Sequence, residues 1–161
     1  MTSATGGGGG PATAALPFFV YGTLRPGEVN HALFLRGRTS AEEPARLPGA
    51  LLYDGPGYPY AVRRAGSEIV GELITAAPGA YETLLAQLDR LEEYHGPGMP
   101  LNVYDRVRCD AVRPDGTRSP AWVYLAAPPL ARRLRESGRE IPGGDWLGRR
   151  TPRRTLPEQN G

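Results

Sequence analysis

The chain has 161 residues, a net charge of +2 and one cysteine, and every basic side chain is arginine. That composition suggests one domain and excludes an intrachain disulfide, a cysteine metal cluster, lysine Schiff-base chemistry and a P-loop lysine. The charge is too small to argue for nucleic acid, no apolar run approaches the roughly 20 residues that span a bilayer, and the N-terminus lacks the pattern of a signal peptide. The expected setting is reduced and cytoplasmic.

Residues 1–15 contain a glycine run and almost nothing bulky, so they read as a disordered tail. Residues 151–161 read the same way, leaving a folded unit over 16–150. The pairs Arg149/Arg150 and Arg153/Arg154 suit a solvated tail better than a basic interaction surface. Leu16 to Tyr21 (LPFFVY) reads as a buried strand, and Thr23 to Gly27 (TLRPG) as a loop, because Pro26 forces Arg25 out of helical geometry. Glu28 to Leu35 allows one or two helical turns. Ala45 to Tyr53 reads as a strand, Pro56 to Pro59 as a turn, and Ala61–Arg64 with Glu68–Thr75 as a hairpin around Ala65-Gly66. Gly79 to Tyr94 is the clearest helix. Val103–Val112 and Ala121–Leu125 read as a hairpin joined by Arg113-Pro114-Asp115-Gly116, and Ala131–Glu136 as a last helix.

About six strands and one long helix do not alternate as a doubly wound sheet requires. The fold class expected is α+β: a small mixed β-barrel or curled sheet with the long helix packed on it. No phosphate-binding glycine motif is present.

Within the long helix, Leu84, Leu85, Leu88 and Leu91 fall on one arc, which must face the core. Glu92 follows Leu88 by four positions and Leu85 by seven, so it projects from the same arc, whereas Glu93 turns toward Asp89 and Glu82 on the wet face. Burial and the helix C-terminus both raise a carboxyl pKa, which suits general acid/base work. A frayed helix end that lets Glu92 reach water or pair with an arginine is the plainer alternative. The loop Tyr21-Gly22-Thr23-Leu24-Arg25 directly follows a buried strand. Such a loop can aim several N–H groups at a carboxylate, with Gly22 allowing close approach and Arg25 adding a bidentate contact. His31 and His95 show no metal-ligand spacing, and a proton relay through His95 competes with a simple exposed loop position. Cys109 shares a strand face with Val107 and Ala111, which suits packing better than nucleophilic attack.

Taken in order, these segments resemble the γ-glutamylcyclotransferase-like superfamily, including its bacterial AIG2-like members. The resemblance rests on Phe18–Arg25 (FFVYGTLR), Gly57–Val62 (GYPYAV), Val70–Leu73 (VGEL), Leu88–Glu92 (LDRLE), Tyr104 with Arg106, and Gly144–Trp146 (GDW). It implies that Glu92 is the catalytic acid/base and that Tyr21, Gly22, Thr23 and Leu24 bind the substrate, largely through backbone groups, beside the contact that the loop reading gives Arg25, with Tyr58 and Tyr104 lining the pocket. It also implies an intramolecular reaction. The α-amine of a γ-glutamyl group closes on its own γ-carbonyl, releasing 5-oxoproline and a free amine or amino acid without metal or cofactor. Glu93 departs from the family's usual glycine, where it can raise the Glu92 pKa by repulsion or alter the helix end. The segment His95–Pro100 is a candidate cap over the pocket. The implied partner is a small γ-glutamyl compound, with no nucleic acid or membrane, and a monomer or small homo-oligomer. The alternatives on the same fold are a non-catalytic binding module and an enzyme that removes a γ-glutamyl protecting group in a specialised pathway.

Overall fold

The computed structural model describes residues 15–148, so the predicted tails lie outside the described residues apart from Ala15. β1 (Phe18–Val20) is three residues long and buried on both faces. Phe19 points into one apolar cluster, and Phe18 and Val20 into another. That double burial explains why the sequence there is continuously apolar rather than alternating.

β2 (Thr39–Tyr53), β3 (Tyr60–Ala76), β4 (Tyr104–Val112) and β5 (Arg118–Ala126) complete a closed barrel in the order β1-β3-β2-β4-β5. Closure comes from parallel pairing of β1 with β5 at Phe18 and Trp122, while the other pairs are antiparallel. The barrel is therefore mixed, as expected, but has five strands rather than about six. The difference lies at Ala65-Gly66. Pro48 pairs with Glu68 and Ala50 with Arg63, so residues 64–67 bulge opposite Gly49 while the chain continues along the same partner. Turn-forming residues here kink a single long strand instead of reversing it. β2 also starts at Thr39, earlier than its apolar stretch suggests.

The barrel interior holds Phe19, Leu47, Leu52, Ile69, Leu73, Val123 and Trp146. Gly71 is set by close approach: a Cβ there would meet the Val20 carbonyl oxygen at 2.1 Å. Helix α1 (Tyr81–Leu91) lies outside the barrel, with Glu82 in its first turn and Arg90 in its last, both favourable to the helix dipole. Its Leu84 and Leu88 are fully buried against Phe18, Val20 and Ile74, and Leu85 and Leu91 are partly buried in the same cluster. Each fully buried leucine contributes about 2 kcal/mol of transfer free energy. The helical turns expected after the first loop are present, as a short π-helix (His31–Leu35). Helix α2 (Pro128–Ser137) follows β5 and covers Leu51, Tyr53 and Val62 with Ala131 and Leu134. No helix among the described residues is long and apolar enough to cross a membrane.

Candidate active site

Where α1 ends against β1, a cavity of about 430 Å³ opens beside the barrel. Tyr21, Gly22, Thr23 and Leu24 line one wall, Glu92 and Glu93 another, and Tyr58, Tyr104 and Tyr124 complete it. The loop and the glutamate, distant in sequence, thus share one cavity.

The loop is held from several sides. The Arg25 N–H donates to the Gly22 carbonyl at 3.0 Å, closing a turn. Asn30 donates its main-chain N–H to the Thr23 carbonyl at 3.1 Å and its side-chain amide to Thr23 Oγ1 at 2.8 Å. The N–H groups of Gly22, Thr23 and Leu24 are taken by none of the turn and loop hydrogen bonds among the described residues. Gly22 has no room for a side chain, because a Cβ would stand 2.6 Å from Cδ of Pro59. Pro59 is fixed in turn by Tyr104, whose hydroxyl donates to its carbonyl at 3.1 Å. The GYP turn and the later tyrosine therefore act together as a buttress behind the loop.

Arg25 corrects an expectation. Its side chain does not line the cavity but turns beneath the loop, where the residue is 6% exposed. Nε and Nη2 donate to the two carboxylate oxygens of Glu72 at 2.8 and 3.0 Å, and Nη1 to Asp145 Oδ1 at 2.8 Å. With three of its N–H donors so engaged, Arg25 ties the loop to β3 and to the GDW segment and lies outside the cavity lining. The glutamate of VGEL and the aspartate of GDW are its counter-ions.

Glu92 is the C-cap of α1, just past the last helical residue, and is partly buried. No hydrogen bond or ion pair among the described residues holds its carboxylate. Burial pushes its carboxyl up to about 7. Desolvation is the cause, not the repulsion from Glu93 that the sequence suggested. Burial is the main cause that raises the hydroxyl pKa values of Tyr21, Tyr104 and Tyr124; the next is the charge of Glu92 for Tyr21, the neighbouring Tyr21 for Tyr104 and the hydrogen bond to Asp89 for Tyr124. These three tyrosines remain protonated around the carboxylate. Tyr21 donates to the Tyr124 carbonyl at 2.5 Å. Tyr58, at the mouth, is 41% exposed and sits edge-on to Tyr60.

Two contributors were not singled out from sequence. Tyr124 lies in an apolar strand that gave no hint of a cavity position, and its hydroxyl donates to Asp89 Oδ1 at 2.7 Å. Asp89, the aspartate of LDRLE, also accepts from Arg106 Nε at 2.9 Å, and the Arg106 guanidinium packs over Tyr94 and Trp122. This cluster ties the end of α1 to β4 and β5. His95 is exposed and lies outside the cavity lining, as does the rest of the predicted cap, His95–Pro100. His31 pairs with Glu42 at 2.7 Å, away from the site. Cys109 packs partly against the barrel core, and burial pushes its thiol up.

The family described as gamma-glutamyl cyclotransferase, AIG2-like, matches residues 18–148. The chain belongs to that family. A relative from Niallia circulans, gamma-L-glutamyl-butirosin B gamma-glutamyl cyclotransferase, is 36% identical over 107 residues, covering 66% of this chain and 64% of that protein. The match thus spans less than two thirds of the relative's own length. Among solved structures, YkqA from Bacillus subtilis superposes with a TM-score of 0.62 at 24% identity, over 87% of this chain and 42% of that one. The uncharacterized protein PH0828 from Pyrococcus horikoshii gives a TM-score of 0.56 at 21% identity, over 88% and 98%. Both likenesses show the fold alone.

Proposed function

We propose that this chain is a γ-glutamyl cyclotransferase that converts a γ-glutamyl amide into 5-oxoproline and a free amine, with Glu92 as its acid/base group. The observation that carries the reading is a carboxyl with no partner among the described residues, raised to about 7, in the same cavity as the untaken amides of Gly22, Thr23 and Leu24. The amides suit the α-carboxylate of the glutamyl group. Ionised Glu92 takes a proton from the α-ammonium. The freed nitrogen attacks the γ-carbonyl carbon, forming the ring C–N bond. Glu92 then returns that proton to the leaving nitrogen as the original amide C–N bond breaks, and the ring nitrogen gives up its remaining extra proton through the same carboxylate to the released amine, which departs as an ammonium. Nucleophile and electrophile belong to one substrate, so holding it in a folded shape supplies much of the rate, and the reaction in this reading needs no cofactor. Tyr58 and Tyr104 line the substrate channel, and Arg25 acts by holding the loop.

A pathway-specific role, removal of a γ-glutamyl group from a biosynthetic intermediate, is favoured over general turnover by the similarity to the butirosin protein. A reduced cytoplasmic setting in a bacterium fits the single cysteine and the arginine-only basic composition. The protein is proposed to act as a monomer or small homo-oligomer. The test is incubation with γ-glutamyl amino acids and γ-glutamyl amines, reading 5-oxoproline by mass spectrometry. Release by the wild type and its loss in folded Glu92→Gln support the reading. Equal release by Glu92→Gln overturns the role of Glu92. Ligand-induced stabilisation without any release favours the binding-module alternative.

A further inference from the structure

Glu93 has φ of 54°, and no other non-glycine residue among those described has positive φ. A residue with a Cβ is strained there by about 1 kcal/mol, and glycine is the usual occupant of a position that ends a helix in this way. The conformation is fixed by the main chain: the Glu93 N–H donates to the Arg90 carbonyl at 3.2 Å, and its own carbonyl accepts from Val103 at 3.1 Å. Despite that cost the side chain is a carboxylate, it lines the cavity beside Glu92, and it is exposed at the mouth. It makes no ion pair among the described residues, where seven other acids do. Among the described residues no arginine or histidine lines the cavity, and Glu92 and Glu93 are its only charged side chains. The adjoining wall is apolar, from Val29, Tyr58 and Pro59.

Resting on the proposed reaction, we infer that Glu93 reads the leaving group and selects a γ-glutamyl amide whose amine portion carries a second positive charge at the end of an apolar spacer, such as a diamine or an amino sugar. The glutamyl half takes the amides of the loop and Glu92, and the departing half runs out past Val29 and Tyr58. An ammonium there meets an uncompensated carboxylate, a methyl group meets nothing, and a carboxylate meets repulsion. An acid at a strained position suits a role in substrate choice better than one in folding.

The experiment compares γ-glutamylputrescine, γ-glutamylpentylamine and γ-glutamylglycine, which end in a cation, a methyl group and an anion. The expected kcat/KM order is cation over neutral over anion, with the cationic conjugate favoured over the neutral one by about tenfold at low salt and by less at high salt. In Glu93→Gln and Glu93→Asn the cation-to-neutral ratio falls toward one, and Asn tolerates the positive φ, so a fold defect is not the cause. A ratio near one in the wild type, or an unchanged ratio in both variants, overturns the inference. If no conjugate yields 5-oxoproline, the proposed reaction fails on its own account. The charge preference is then read by calorimetric binding of the same three compounds to the wild type and to Glu93→Asn, with the same outcomes deciding.

Discussion

Arg25, beneath the loop, and Glu92, in the cavity wall, are both ionisable side chains withdrawn from solvent, and they are treated oppositely. Arg25 has its guanidinium divided between Glu72 and Asp145. Glu92 has no such partner, and its carboxyl is pushed up to about 7. A buried charge with counter-ions holds structure in place, whereas a buried charge without them is poised to exchange a proton. In the proposed reaction the first fixes the binding loop and the second does the chemistry.

The sharpest break of that contrast is Glu92→Gln, expected to lower 5-oxoproline release by at least about 100-fold, since Gln keeps the shape without acid/base capacity. Next comes Arg25→Met. It strands Glu72 and Asp145 and costs about 3 kcal/mol of stability, the lower end of the range for a broken buried pair because Asp145 is partly exposed. Denaturant unfolding measures the loss, and activity falls with it because the loop loses its anchor.

A third prediction separates the two charges by pH. The folded-state pKa of Glu92 lies above its unfolded value near 4.3, so the folded protein binds the extra proton between about pH 4.3 and 7. Stability of the wild type therefore falls as pH rises through that window. Glu92→Gln, neutral throughout, is expected to match the wild type near pH 4 and to exceed it at pH 8 by about 3–4 kcal/mol. A smaller effect is expected from Glu93→Asn, about 0.5 kcal/mol of added stability from relief of the positive φ, visible as a slightly raised Tm.

Much of this was legible in the sequence, for identifiable reasons. Helical spacing of Leu84, Leu85, Leu88 and Leu91 put Glu92 on the packed side, and the continuous apolar run of Phe18–Val20 signalled a doubly covered strand. Gly22 and Gly71 are explained by close approach to Pro59 and Val20, which a sequence marks only as glycine. The fate of Arg25 was not legible, because its partners stand 47 and 120 residues away and only the closed barrel brings them together. Tyr124 was hidden for a similar reason. Its strand is apolar on both sides of it, and only closure of the sheet against α1 turns its hydroxyl to Asp89. The bulge at residues 64–67 was misread because a kink and a reversal use the same residues.

The most direct test of the central claim is the pH dependence of kcat/KM for 5-oxoproline release from a γ-glutamyl amide. The account predicts a rate that climbs about tenfold per pH unit up to an inflection near 7, as the Glu92 carboxyl ionises to become the base, and the loss of that limb in Glu92→Gln. An inflection near the ordinary glutamate value of about 4.3, or a limb that persists in Glu92→Gln, contradicts it.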